Sequence, residues 1–434
     1  MTAEITCGVA EKTNRLSGVL RAPGSKSYTQ RAIEAASLNG RVRIRNPLYC
    51  DDIRSAIRVW RSLGAEIAEG EDGTERYLDI KGFGGNPRPQ AAELDVGESG
   101  TLLRFVLPVI ALAQGSYTVS GNGTLKGRPN GSIVGPLQSW GIDIRGSGDT
   151  HGIPIHIQAK GEIRGGKAEV DGRTTSQTVS SLLLAAPFAR NIVTIVVQDD
   201  LVSKPYVDIA VDVMKHFGVR VEREGHKWFE VKSQTPNPPA EYRIHGDYSS
   251  AAFLIAAACL VESDVTVTDL VSDEQGDRAF IDFVRKMGAA VQQTDDAVTI
   301  RGPYRLTGID VDCEDTPDIV PMLATLACFA EGQTRIRNIS HLVHKESNRI
   351  ATTATELNKL GGRVAHTDRD LIVQGTPLHS GEVSSHADHR VAMSLLVAGL
   401  KVGSIRVDNV SCTSKSYPNF VRDMNQLGAK IRIT

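Results

Sequence analysis

The chain has 434 residues, which at roughly 150 residues per domain makes room for two or three domains. Apolar residues at 41% and charged residues at 23% exclude disorder and collagen-like repetition, while 49 Lys and Arg against 51 Asp and Glu leave a net charge of −2, without the basic excess of a general nucleic-acid binder. Six scattered cysteines without a CxxC pair argue against a disulfide framework or a zinc site. The N-terminal stretch MTAEITCGVAEKTN lacks a signal-peptide core and the apolar run at 251–261 is too short to span a bilayer, so a cytoplasmic protein is expected.

In chain order, a helix rich in small residues is predicted at 29–38, followed by a Val/Ile strand, then by an amphipathic helix that ends at Leu63-Gly64-Ala65 and runs into a short alternating strand. The same succession recurs. Further small-residue helices are predicted at 101–113, 178–189, 249–261, 319–330 and 390–400. The amphipathic helices, such as those at 277–287 and 348–360, close on Trp140-Gly141-Ile142, Phe217-Gly218-Val219, Met287-Gly288-Ala289, Leu360-Gly361-Gly362 and Leu427-Gly428-Ala429. Successive glycines lie 77, 77, 70, 73 and 67 residues apart, which defines six units. Each glycine is expected just past a helix end in a left-handed conformation. Solenoid repeats are usually shorter, about 20 to 50 residues, so a closed arrangement of three units per domain is expected. The proline-rich stretch 232–246 (KSQTPNPPAEYRIHG) reads as an irregular linker between two halves, with a substrate cleft between them.

Polar and basic clusters fall at the helix starts. Pro23-Gly24-Ser25-Lys26-Ser27, with Arg31 one turn on, offers backbone N–H groups, hydroxyls and cations to an oxyanion, without the spacing of a P-loop. Gly97-Glu98-Ser99-Gly100-Thr101 leads to Arg104, and Gly127-Arg128-Pro129 follows. Thr174-Thr175-Ser176-Gln177 opens the third unit and Ser203-Lys204-Pro205-Tyr206 follows its strand. The second half has Asp315-Thr316-Pro317-Asp318, Lys345-Glu346-Ser347-Asn348-Arg349, Asp388-His389-Arg390 and Thr413-Ser414-Lys415-Ser416-Tyr417-Pro418. Singly, each fits a capped or solvated helix start, and KESNR fits an i,i+3 ion pair between Glu346 and Arg349. Their repetition at matching places points to a shared anion site. His386, Asp388 and His389 have no second ligand group at helical spacing, so no metal is expected.

These phrases occur in an order that resembles the 5-enolpyruvylshikimate-3-phosphate synthase family: PGSKS with Arg31, SGT with Arg104, GRP, the SQ of the third unit, SKPY, GDYSSA, TPD, KESNR, DHRVAM and SKSYP, over about residues 14–425. The resemblance implies an α/β (α+β) fold of two domains, each of three βαβαββ repeats. One domain would comprise residues 1–23 and 246–434, the other 24–245, with the substrate cleft between them. It implies transfer of the enolpyruvyl group of phosphoenolpyruvate to the 5-hydroxyl of shikimate 3-phosphate, with release of phosphate, in the pathway to chorismate and the aromatic amino acids. The same resemblance implies a monomer that needs no metal or organic cofactor, binds neither nucleic acid nor membrane, and is a target of glyphosate at the phosphoenolpyruvate pocket.

By motif position the resemblance assigns Lys26, Ser27, Arg31, Thr175, Ser176, Gln177, Ser203, Tyr206, Asp318 and Lys345 to shikimate 3-phosphate, and Lys26, Gly100, Arg128, Gln177, Arg349, Arg390 and Lys415 to phosphoenolpyruvate. It makes Asp318, Glu346 and Lys26 catalytic, Asp318 as base at the 5-hydroxyl and Glu346 as proton donor and later acceptor. Glu98 stands where the family commonly has Asn, Phe105 where Pro commonly follows the arginine, and Thr175 where Ser is frequent. Two other readings are open. The related UDP-N-acetylglucosamine transferases share fold and reaction but carry a catalytic cysteine in a loop that here, at 121–137, has none. A non-catalytic anion-binding scaffold would be expected to show more positive charge and base-stacking aromatics.

Overall fold

The computed structural model describes residues 6–73 and 75–434; residues 1–5, the start of the N-terminal stretch, lie outside the described residues. Among the described residues there are twelve α-helices, two for each unit of the repeat. They are α1 (Lys26–Leu38) and α2 (Asp51–Ser62), α3 (Gly100–Ile110) and α4 (Gly131–Ser139), α5 (Gln177–Ala185) and α6 (Pro205–His216), α7 (Tyr248–Leu260) and α8 (Ala279–Lys286), α9 (Val320–Cys328) and α10 (Arg349–Lys359), α11 (His389–Val402) and α12 (Phe420–Gln426).

The two helices of a unit differ because their sequences do. The first is small and buried almost all round: every residue of α7 is buried, its Ala and Ser side chains letting neighbours approach closely. The second is amphipathic: α2 buries Ile53, Ala56, Ile57, Val59 and Trp60 and exposes Arg54, Arg58 and Arg61.

Each second helix stops in the same way. Gly64, Gly141, Gly218, Gly288, Gly361 and Gly428 have φ of 106°, 80°, 75°, 102°, 87° and 103°. At the first of them the Gly64 N–H donates to the Arg61 carbonyl (3.0 Å) and the Ala65 N–H to the Trp60 carbonyl (3.0 Å), and the other five repeat this pair of bonds. Carbonyls that the helix end leaves without partners are thereby satisfied and the chain is turned into a strand, a conformation cheap only for glycine. The repeat is thus one physical device used six times.

The described residues form six four-stranded sheets of one pattern, a parallel pair extended by two antiparallel strands. Three strands enter a sheet from far along the chain. Glu241–Arg243 pairs in parallel with Arg41–Arg45, so the end of the proline-rich stretch is ordered and completes the first sheet, contrary to the expectation of an irregular linker. The prolines at 236, 238 and 239 precede that strand, where no ladder N–H is needed. Arg15–Arg21 pairs in parallel with Glu262–Thr268, and Gly8–Glu11 lies between Ile405–Val407 and Lys430–Ile433.

The chain divides into two compact units, one made of the residues up to Pro23 together with His245–Thr434, the other of Gly24–Ile244. Each has its own apolar core, around Phe253, Phe280, Tyr417 and Phe420 in the first and around Trp60, Phe105, Trp140, Phe217 and Phe229 in the second. All six cysteines are free, and among the described residues no helix is long and apolar enough to cross a membrane.

Candidate active site

In the unit Gly24–Ile244 the polar residues sit at helix N-termini, where free N–H groups favour anions. Lys26 and Ser27 begin α1, Gly100 begins α3, Gln177 begins α5 and Tyr206 is second in α6. Hydrogen bonds bind these ends together. Buried Arg31 donates Nη1 to the Ser27 carbonyl (3.1 Å) and Nη2 to Ser180 Oγ of α5 (3.0 Å), and Ser180 donates to the Tyr206 carbonyl (3.1 Å). Lys26 Nζ lies 3.3 Å from Asp52 Oδ2. Ser203, at φ 57°, has a buried hydroxyl with no hydrogen-bond partner among the described residues. Thr175 Oγ1 accepts from the Gln177 N–H (3.2 Å), the ordinary work of a helix start.

Beside this lies a second cluster. Arg104 Nη1 donates to the Gly100 carbonyl (3.0 Å) and to Gln177 Oε1 (2.8 Å), while Nη2 reaches the Pro129 carbonyl (3.1 Å). Burial, with Arg128 adding like-charge repulsion, pulls the Arg104 guanidinium down to about 9. A Cβ on Gly100 would stand 2.9 Å from Arg128 Nη1 and 3.1 Å from Arg104 Nη1. Two guanidinium groups converging on one side-chain-free position suit a carboxylate or phosphate that relieves their repulsion.

Two of the three departures from the family pattern, Glu98 and Phe105, have structural roles here. Glu98 points at the turn Gly123–Gly127: its Oε2 accepts from Thr124 Oγ1 (3.3 Å), and its carboxyl lies over Gly123. Phe105 places its ring centroid 5.2 Å from the Arg31 guanidinium carbon, a cation–π contact.

In the other unit the hub is Arg349, the first residue of α10, with its side chain 1% exposed. Its Nη1 meets Asp318 Oδ1 at 2.7 Å, its Nη2 Glu346 Oε2 at 2.8 Å and its Nε Asp388 Oδ2 at 2.8 Å. Arg390 Nη2 holds the other Asp318 oxygen (2.9 Å), and Lys415 Nζ lies 3.5 Å from Glu346 Oε1. Burial opposes the charge of Arg349, but Asp388, Glu346 and Asp318 together keep it firmly cationic. Burial opposes Arg390 too, and Asp318 and Asp247 outweigh it. Arg390 is buried with Nε and Nη1 lacking a hydrogen-bond partner among the described residues, so donors stand ready for an anion. The i,i+3 pair of Glu346 and Arg349 therefore exists, as one edge of a larger network. His386 Nε2 lies 2.7 Å from Glu356, whereas Asp388 serves Arg349 and Ser347, so these two neighbours in sequence have separate partners.

Two members of this cluster escape the sequence reading. His341 is 2% exposed; burial, with Lys345 and Arg349 nearby, pulls its imidazole down to about 3, so it is neutral at any working pH. It lies on the 3₁₀ turn Ser340–His344, where helical spacing gives no signal. Asp277 reads as the start of an amphipathic helix, yet its carboxyl is buried, accepts from Ser249 Oγ, and is pushed up to about 7 by burial and then by Asp318. The phrase GDYSSA, which contains Ser249, was the available clue.

The family model of EPSP synthase (3-phosphoshikimate 1-carboxyvinyltransferase) matches residues 10–424. The chain belongs to the EPSP synthase family. A 3-phosphoshikimate 1-carboxyvinyltransferase of Methanocaldococcus jannaschii is 36% identical over 430 residues, 98% of this chain and 99% of that protein. One from Methanocella arvoryzae is 37% identical over 419 residues, 96% and 97% of the two chains. Among solved structures, an EPSP synthase from Acinetobacter baumannii has a TM-score of 0.83 at 24% identity and covers 99% of this chain and 100% of its own. The enolpyruvyl transferase NikO from Streptomyces tendae has a TM-score of 0.79 at 22% identity, covering 99% of each chain. The fold is that of the enolpyruvyl transferases, with the six repeats expected from the glycine spacing.

Proposed function

We propose that this member of the EPSP synthase family transfers the enolpyruvyl group of phosphoenolpyruvate to the 5-hydroxyl of shikimate 3-phosphate, forming 5-enolpyruvylshikimate 3-phosphate and phosphate on the way to chorismate and the aromatic amino acids. The observation that carries the reading is the Arg349 hub, which gathers Asp318 and Glu346, an acid–base pair, beside an arginine with unmet donors. Both substrates bear a phosphate and a carboxylate, so bringing them together requires cations held in place beforehand. Lys26, Ser27, Arg31, Thr175, Ser176, Ser203 and Tyr206 would hold shikimate 3-phosphate together with Lys345 and Asp318. Gly100, Arg128, Arg349, Arg390 and Lys415 would hold phosphoenolpyruvate, with Lys26 and Gln177 serving both. The reaction is placed in the cytoplasm and the enzyme is a monomer in this reading; the unpaired cysteines suit a reducing compartment.

In this mechanism Glu346 gives a proton to the methylene carbon of phosphoenolpyruvate, leaving a cationic centre at its neighbour. Asp318 takes the 5-hydroxyl proton as that oxygen attacks, forming the carbon–oxygen bond of a tetrahedral adduct. Glu346 then recovers a proton from the new methyl group, the double bond re-forms and the bond to phosphate breaks. Arg349 and Lys415 favour the ionised form of Glu346, so the arriving anionic substrates must offset them before it can donate.

A coupled assay of phosphate release with shikimate 3-phosphate as the varied substrate tests this. Saturable release is expected. Release with UDP-N-acetylglucosamine instead would transfer the chain to the related reaction, and none with either would leave the binding scaffold.

A further inference from the structure

A carboxyl in the unit Gly24–Ile244 has no place in this mechanism. Glu34, on α1 one turn after Arg31, is fully buried, and among the described residues neither of its oxygens has a hydrogen-bond partner. An ionised carboxylate in such surroundings would need hydrogen bonds or a contacting cation. Arg31 is the charge that acts on it. Yet the guanidinium spends Nη1 on the Ser27 carbonyl and Nη2 on Ser180, lays its face toward Phe105, and leaves Nε without a partner. The two groups are close neighbours that do not form an ion pair.

Burial pushes Glu34 well above the ordinary carboxylate range, against the pull of Arg31. Burial also brings Arg31 down to about 10, against Glu34, Tyr206 and Tyr28, so the guanidinium is still cationic at neutral pH. Tyr206 comes from α6, and the Tyr28 hydroxyl donates to Asp212 of that helix (3.2 Å). The other elements packed on α1 add no counter-ion. The buried residues of Arg41–Arg45 and Glu75–Lys81 are Val42, Ile44, Leu78 and Ile80; α3 commits Arg104 elsewhere, α5 gives Ser180, and Asp52 of α2 pairs with Lys26.

We propose that Glu34 is a positioning residue for Arg31 that keeps its proton while the enzyme works: the neutral acid leaves the guanidinium charge to the substrate anion, and loss of the proton to solvent creates a rival anion that draws Arg31 away. This rests on Arg31 being a ligand of shikimate 3-phosphate. A raised carboxyl is neutral below its pKa, so affinity for the substrate is complete there. It falls as pH rises through that value, by up to about tenfold per pH unit.

The test compares the native enzyme with Glu34→Gln, which keeps shape and neutrality, from about pH 6 to about pH 9.5. The Kd of shikimate 3-phosphate is measured by calorimetry, with kcat and both KM values alongside. The two proteins should match at neutral pH, the native one should lose shikimate 3-phosphate affinity at alkaline pH beyond the loss in the variant, and kcat and the KM for phosphoenolpyruvate should follow the same course in both. The infrared difference between native protein and variant at neutral pH should contain the carbonyl band of a protonated acid, a readout independent of activity. An identical alkaline loss, absence of that band, or affinity lost by the variant at every pH overturns the proposal. Arg31→Gln separates the two layers: an unchanged Kd there would show that the assignment of Arg31 as a ligand is at fault, not the role of Glu34 alone.

Discussion

Arg349 gives each of its three nitrogen atoms to a different carboxylate, Asp318, Glu346 and Asp388, and so fixes where the proposed base, Asp318, and the proposed acid, Glu346, stand relative to each other. If Glu346 moves protons, Glu346→Gln keeps the shape of the network and should lower turnover by about 10² to 10⁴, the usual loss for general acid–base catalysis. The Kd of shikimate 3-phosphate should persist, since the hydroxyls and cations assigned to its phosphate are Lys26, Ser27, Thr175, Ser176 and Ser203. A weakened phosphoenolpyruvate with a modest change in turnover would mean instead that Glu346 only holds Arg349 and Lys415 in place. At Gly100, the added methyl of Gly100→Ala meets the guanidinium ends of Arg128 and Arg104 at 2.9 and 3.1 Å, and both must shift. The KM for phosphoenolpyruvate should rise, and inhibition by glyphosate should weaken more. Equal loss for inhibitor and substrate, read from Ki and KM on one preparation, would show that the position does not discriminate.

The repeating element is a helix that ends on a left-handed glycine. At Gly64 the strain of any other residue would be almost purely conformational: φ is 106°, and the nearest atom to an added Cβ is 3.5 Å away. Gly64→Ala should therefore cost about 1 to 2 kcal/mol, the price of the left-handed conformation for an L-residue, read as a shift of the urea midpoint at unchanged slope. Gly131, exposed at the first position of α4 with only the His151 ring in ordinary contact at 3.6 Å, is the matched control. There Gly131→Ala should stabilise by about 0.5 to 1 kcal/mol, because the same substitution removes unfolded-state freedom without strain. Losses of equal sign at both positions would mean that the C-terminal turn is not what the glycine secures.

The unit Gly24–Ile244 is a continuous stretch whose three sheets draw all their strands from within it, including Glu241–Arg243 at its end, and its core is its own. A fragment of residues 24–244 should accordingly fold cooperatively, seen as a single urea transition by circular dichroism. The other unit cannot be cut out in the same way. Residues 245–434 alone lack Gly8–Glu11, an inner strand of one sheet, and Arg15–Arg21, the parallel partner of Glu262–Thr268 in another. That fragment should fail to fold, and adding the missing segment as a separate peptide should restore structure. Gly399 of α11 shows how closely this N-terminal strand is seated, since an added Cβ would meet that of Ala10 at 2.5 Å.

Local chemistry was enough to reveal the six units: apolar spacing marks the helices, and the requirement for a left-handed residue places a glycine at each helix end, so both signals lie within a dozen neighbouring residues. The cations and hydroxyls at the helix starts were legible for the same reason. Strand exchange was not legible in local chemistry, because Tyr242 pairs with Ile44 and Val265 with Gly18 across most of a domain in sequence and nothing local encodes such a partner; only the family resemblance implied that residues 1–23 join 246–434. Nor were the choices made by desolvation. That Glu98 turns to Gly123 and Thr124, that His341 and Asp277 join the cluster around Asp318, and that Glu34 sits beside Arg31 without pairing to it depend on burial summed over several segments of chain. A sequence names the charges; only packing decides which of them lose water and which partners remain to replace it.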